Sequence, residues 1–362
     1  MRAPAPDCLI ESLLWPQKMA ELSLREWDTM LPRARVTLLL PRLAGLADRG
    51  GLIDRLPEPV RHHLETGLAV ARAQERVLRW ELQRLERVLV PLGCPVLLLK
   101  GAAYVAAALP MADGRIVGDI DILIPPEALD RVQGELLRAG WQFDQIDEYD
   151  RRYYLEWMHE LPPLRHRHRR TVLDVHHAIL PPTSRLKPDP SLLWAAARRL
   201  PTAPFLVLSP ADMMLHSAAH LFQDGDLHLR LRDLVDLHEM AVTFGRNPGF
   251  WPVLLARAHA LHLGRPLYYA MRYCGHLFST AMPPEVAAGL KYMAPPAFTR
   301  AVMDLVVPPT LIPPATRSGA ARQAAALFLY IRSHWLRMPP FLLAAHLARK
   351  SLRRVREVRQ AG

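Results

Sequence analysis

The stretch "LLLKGAAYVAAALPMADGRIVGDIDILIP", Leu97 to Pro125, decides the reading of this chain. It sets two carboxylates, Asp119 and Asp121, one residue apart in an otherwise apolar run. "GDIDILIP" (118–125) alternates Asp with Ile and Leu, the period of a strand. Residues i and i+2 of a strand project to the same face, so Asp119 and Asp121 point together while Ile120 and Ile122 point into a core. Two like charges that close raise each other's pKa. A divalent cation between them removes the repulsion, and Mg²⁺ is usually held by one or two carboxylates plus substrate phosphates. The plain alternative is an edge strand whose acids are simply solvated.

The neighbours of the pair favour the metal. "PVLLLK" (95–100) reads as a buried strand and "GAAYVAAAL" (101–109) as a short helix, so Lys100–Gly101 marks a strand-to-helix turn. Glycine there lets the backbone approach a ligand, and the helix N-terminus favours an anion. Arg115 lies just upstream of the acids, within reach of a phosphate. "TVLDVHHAI" (171–179) is a further strand candidate with Asp174 in its middle. A carboxylate inside an apolar strand is costly unless paired or ligated, and a third acid from an adjacent strand would complete a two-metal site. His176 shares the face of Asp174.

Outward from this segment the texture is helical. Residues 1–90 form an N-terminal helical region, and the apolar positions from Pro59 to Val90 recur at helical spacing. Residues 91–205 hold the strands, with "PEALDRVQGELLRAGW" (126–141) as a helix between them, and 206–362 form a C-terminal helical region. Ser209 is an N-cap candidate with Pro210 behind it. Asp212, His216 and His220 follow at i, i+4 and i+8, and "LRDLVDLHEM" (231–240) adds Arg232, Asp233, Asp236 and His238. A polar helix–helix network lining the cleft, with Asp212 and His216 beside the site, accounts for these better than zinc, because no H-E-x-x-H is present. The cluster His159, His166, His168, His176 and His177 has no regular ligand spacing and reads as mostly surface, or as support behind the site, with His176 the exception because it shares the face of Asp174.

Composition sets the outer bounds. The 362 residues carry a formal net charge of +11, which favours a polyanionic partner. The three cysteines, Cys8, Cys94 and Cys274, form no disulfide framework, so a reducing cytoplasm is expected. No uncharged apolar run of membrane-spanning length is present. "HLARKSLRRVREVRQAG" (346–362) reads as a basic amphipathic helix, either docked on the preceding domain or in weak contact with a polyanion.

The order strand, Lys-Gly, helix, Arg, D-I-D strand and later lone Asp resembles the DNA polymerase β-like nucleotidyltransferase superfamily. Within it the chain is most similar to the family catalogued as uncharacterised nucleotidyltransferases, through "LKG…R…DIDIL" and Asp174-Val175-His176. The resemblance runs over roughly residues 60–240. It implies an α+β fold, a small mixed sheet with helices, flanked by helical regions. It implies transfer of a nucleoside monophosphate from a triphosphate, ATP among the candidates, to the hydroxyl of a small molecule, protein or RNA. Asp119, Asp121 and Asp174 would hold two Mg²⁺ ions, or Mn²⁺, and Asp174 would help activate the acceptor. Gly101 would meet the triphosphate through its backbone. Many relatives carry Gly-Ser or Gly-Gly at this turn; this chain has Gly101–Ala102, so Lys100 and Arg115 are expected to supply the missing phosphate contact. The alternatives are a nucleotide-binding or scaffold protein of this fold without turnover, and a basic binder of nucleic acid or membrane surfaces.

Overall fold

The computed structural model describes residues 7–144, 157–169, 171–224, 227–314 and 319–337. The chain opens with helices α1 (Cys8–Leu14), α2 (Leu24–Val36), α3 (Leu40–Arg49) and α4 (Glu58–Leu89). Ser23 and Glu26 close a reciprocal capping box on α2. The 32 residues of α4 make a rod of about 48 Å. Its buried stripe, including Leu64, Ala71, Leu78, Leu82, Leu85 and Leu89, follows the helical period read from the sequence.

The strands are β1 (Leu97–Leu98), β2 (Asp119–Leu123), β3 (Trp141–Phe143), β4 (Leu164–His166), β5 (Val172–His176), β6 (Arg198–Arg199) and β7 (Leu206–Val207). They form one mixed sheet in the order β3-β4-β5-β2-β1-β7-β6. β2 runs antiparallel to β1 and parallel to β5, so the three strands that carry the motif are neighbours at the centre. Ile120, Ile122, Leu173 and Val175 all turn to the buried side, which fixes the register, since a one-residue slip would bury the acids instead.

Two expected elements are shorter than the sequence suggests. The strand expected over 95–100 is reduced to Leu97–Leu98, because Lys100 takes φ +44° and turns the chain into helix α5 (Lys100–Ala106). The helix expected over 126–141 is a 3₁₀ turn at Pro126–Ala128 followed by α6 (Leu129–Arg138), and Gly140, at φ +95°, reverses the chain into β3.

Beyond the sheet come α7 (Pro190–Ala196), α8 (Pro210–Ala219), α9 (Leu231–Phe244), α10 (Phe250–Ala260), α11 (Gly264–Phe278), α12 (Pro284–Tyr292), α13 (Ala297–Leu311) and α14 (Ala320–Arg337). Ser209 caps α8, its hydroxyl accepting from the Asp212 N–H. Buried apolar residues from Leu9 to Leu329 make one continuous core through the N-terminal helices, the sheet and the C-terminal helices. The basic stretch 346–362 lies outside the described residues. Among the described residues no helix is long and apolar enough to cross a membrane.

Candidate functional site

The site is built on adjacent parallel strands. Asp121 on β2 stands directly opposite Asp174 on β5, and Asp119 opposite Val172. Partners in a parallel pair project to the same face, so all three carboxylates share the face away from Ile120 and Leu173. Asp119 is exposed at the strand entrance and Asp121 is buried, with Asp174 between these extremes.

Asp121 is already compensated. Its Oδ1 accepts from Lys100 Nζ at 2.7 Å and lies 3.0 Å from His176 Nε2. Burial alone would raise its pKa, but Lys100 and His176 hold it well below the usual carboxylate range. Burial likewise works against the Lys100 charge and is outweighed by Asp121, Glu160 and Asp119, so Lys100 stays firmly cationic. His176 is raised in spite of its burial, because Glu160 and Asp121 flank it, with Nδ1 3.2 Å from Glu160. Lys100 reaches Asp121 from a left-handed backbone, a conformation that non-glycine residues adopt at a cost of roughly 1–3 kcal/mol and that surrounding structure must enforce.

Asp174 has no such help. Its Oδ1 is buried and without a hydrogen-bond partner. Burial, and then the charges of Asp121, Glu160 and Asp119, push its pKa up to about 7. Asp119 is raised as well, by desolvation and by Asp121. The two positive side chains thus neutralise Asp121 and leave Asp119 and Asp174 as hard oxygen donors short of positive charge. That donor set fits a divalent cation such as Mg²⁺.

In front of Asp119 and Asp121 opens a cleft between the sheet and the C-terminal helices. Lys100, Gly101 and Tyr104 form its floor; Ser217, His220, Arg230, Arg232, Asp233 and Asp236 come from the helical side. Gly101 is required by sterics: a Cβ there would stand 2.3 Å from Arg115 Nη1 and 2.9 Å from a Val117 methyl. Arg115 lines the cleft, but its charge is engaged. Its Nε donates to Asp236 at 2.7 Å, its Nη2 lies 3.9 Å from Asp233, and its guanidinium sits 5.3 Å from the Tyr104 ring centre. Asp236 also meets Arg42 of α3 at 3.3 Å. The positive charge expected of Arg115 for phosphate is therefore balanced by carboxylates.

Of the other expected residues, Arg232, Asp233 and Asp236 do line the cleft. Asp212 does not join them: it is wholly buried and paired with Arg257 of α10 at 2.7 Å. His216 is buried, and burial with Lys100 and His176 nearby pushes its pKa down to about 3, so it is neutral. His238 bonds the Thr280 hydroxyl. The histidine cluster divides: His159 is buried behind the site, packed 5.2 Å from the His176 ring, and His166 is buried away from it, edge-on to Trp141. Sequence reasoning missed Glu160 and Arg230. Glu160 joins the site through a bridge to His176 across a segment without strand period. His159, Glu160 and His176 bring one donor atom each within 4.8 Å of one another, although His176 is also committed to Asp121.

A mixed sheet with three carboxylates in register on neighbouring strands, a lysine folded over one of them and a helical wall across a polar cleft define a nucleotidyltransferase-type domain. The chain belongs to the family described as uncharacterised nucleotidyltransferase, whose model matches residues 23–279. The match runs from α2 to the end of α11, so it takes in the helical wall together with the sheet. None of the curated proteins compared with the chain matches it.

Proposed function

We propose that the protein transfers a nucleoside monophosphate from a nucleoside triphosphate to an acceptor hydroxyl in the cleft over β2 and β5. The observation that carries this reading is the pairing of Asp121 with Asp174, with Asp119 two residues away on the same face. Asp119, Asp121 and Asp174 would hold one or two Mg²⁺ ions, or Mn²⁺. Bound there, the metal would neutralise phosphate charge and make the acceptor oxygen a better nucleophile.

The chain's own groups have separate tasks. Lys100, held on Asp121, keeps that carboxylate ionised and presents its ammonium to the cleft. Gly101 would meet a phosphate through its backbone, the space over its Cα being taken by Arg115 and Val117. Asp174, opposite Asp121, would take the proton of the acceptor hydroxyl. The acceptor is a small molecule, a protein or an RNA end.

Asp119→Asn is the substitution that tests this. Asp119 is exposed and outside the Lys100–Asp121–His176 ion pairs, so its amide isostere preserves the packing. The protein is incubated with each α-³²P-labelled triphosphate, Mg²⁺ and fractions of a cell extract as acceptor pool. Label should move to an acceptor with release of pyrophosphate, EDTA should stop it, and Asp119→Asn should slow it about a hundredfold or more. Transfer at an unchanged rate in Asp119→Asn would move the reaction away from these acids.

A further inference from the structure

Both sides of the cleft carry charged groups of both signs. On the sheet side Asp119 and Asp121 line it together with Lys100. On the helical side Arg230 and Arg232 line it with Asp233 and Asp236, and these two carboxylates also serve Arg115 from the loop before β2 and, through Asp236, Arg42 of α3.

The sharing is uneven. Asp236 is committed to Arg42 and Arg115, at 3.3 and 2.7 Å. Asp233 is left to Arg230 at 3.1 Å and Arg232 at 3.4 Å, with Arg115 at 3.9 Å. Arg232 has a second anchor, the Ile116 carbonyl at 3.0 Å. Arg230 uses one nitrogen, Nη1, on Asp233, and its side chain is 40% exposed in the cleft wall. A guanidinium has five N–H donors in a planar fork that matches a phosphate. Arg230 therefore holds unused donors and unmatched charge opposite the acids.

We propose that Arg230 and Arg232 form a polyphosphate subsite, which takes the β- and γ-phosphates of the nucleotide and then the pyrophosphate that leaves. The assignment rests on the transfer reading above and orients the substrate within it: the α-phosphate lies toward Asp119 and Asp121, the tail toward the first turn of α9. A nucleoside triphosphate would bind better than the diphosphate, and the monophosphate least.

Inorganic tripolyphosphate tests the subsite without nucleotide, metal or turnover. It is titrated calorimetrically, in EDTA, into the wild type, Arg230→Gln, Arg230→Lys and Arg87→Gln. Arg87 is an exposed arginine on α4 outside the cleft and controls for general attraction to a basic protein. The wild type and Arg87→Gln should bind alike, Arg230→Gln at least tenfold more weakly, and Arg230→Lys in between. Arg230→Gln should keep the wild-type melting temperature to within a few degrees, since its side chain is partly exposed. No binding by the wild type, or equal binding by Arg230→Gln and Arg87→Gln, would overturn the subsite. Arg230-dependent tripolyphosphate binding without nucleotide turnover would instead refute the transfer reading and leave the subsite standing; turnover with Arg230-independent binding would do the reverse.

Discussion

Asp119, Asp121 and Asp174 share a face but not an environment, and their substitutions should differ in kind. Asp121 balances two buried cations. Its amide would take from Lys100 its hydrogen-bonded carboxylate and leave His176 to Glu160 alone, at a cost of up to about 3–5 kcal/mol, so loss of activity in Asp121→Asn would be confounded with loss of fold. Asp174 is the opposite case. It is an acid whose folded pKa, about 7, lies above its unfolded value, so the folded state holds a proton that the unfolded state has released. Metal-free protein should therefore lose stability as pH rises from about 4 to about 7, by at most about 4 kcal/mol from this group. Asp174→Asn should remove that part of the pH dependence and raise the stability in EDTA at pH 8, while abolishing turnover. Urea melts of both proteins at pH 5 and pH 8 measure this. An Asp174→Asn variant less stable than wild type at pH 8 would mean that the carboxylate has a partner in the folded state. Stability set aside for a cation is expected of a metal-binding position and not of a solvated edge strand.

At the scale of the element, the strand–turn–helix from β1 to α5 carries most of the design. Lys100 sits at positive φ, Gly101 admits the Arg115 guanidinium against its Cα, and the Leu99 N–H still donates to the Asp121 carbonyl at 3.0 Å. Gly101→Ala should overpack this corner. Arg115 is fixed by Asp236 and cannot swing aside freely, so the expected loss is about 1–3 kcal/mol. Chemical denaturation reads it directly, and an unchanged midpoint would show that Arg115 yields. The strand period of "DIDIL" and "VLDVH" was legible because alternation is a local property. The register of β2 on β5 was not, since it depends on contacts between residues more than 50 apart. β6 and β7, two residues each, leave no periodic trace at all. The partner of Asp212 was hidden for a related reason: helical spacing put it in line with His216, but Arg257, which it pairs with, lies on another helix.

Across the whole molecule, Asp236 joins what the sequence separates. Arg42 comes from the N-terminal helices, Arg115 from the loop before β2, and Asp236 from the C-terminal helices. Replacing it by Asn would leave two buried guanidinium groups facing each other. Asp236→Asn should cost about 3–5 kcal/mol, and the helical wall should loosen from the sheet, which increased amide exchange in both α3 and α9 would report. Exchange confined to α9 would mean that Arg42 contributes little to the junction. The sequence texture, helical then mixed then helical, was readable from periodicity alone. The single core beneath it was not, because burial between distant segments has no local signature. The net charge of +11 was legible too, but the placement of Arg230 and Arg232 across one cleft from Asp119 and Asp121 emerges only once α9 is set against β2.

The central claim is that the cleft binds a metal–nucleotide complex through its carboxylates. Thermal melting of the wild type and Asp119→Asn with each nucleoside triphosphate, in Mg²⁺ and in EDTA, tests it most directly. A ligand at a hundred times its Kd stabilises by about 2.7 kcal/mol, a shift of several degrees. At least one triphosphate should raise the wild-type melting temperature further with Mg²⁺ than with EDTA, and Asp119→Asn should lose that increment while melting alone at the wild-type temperature. An equal Mg²⁺-dependent increment in both proteins, or none in the wild type with any triphosphate, would contradict the account.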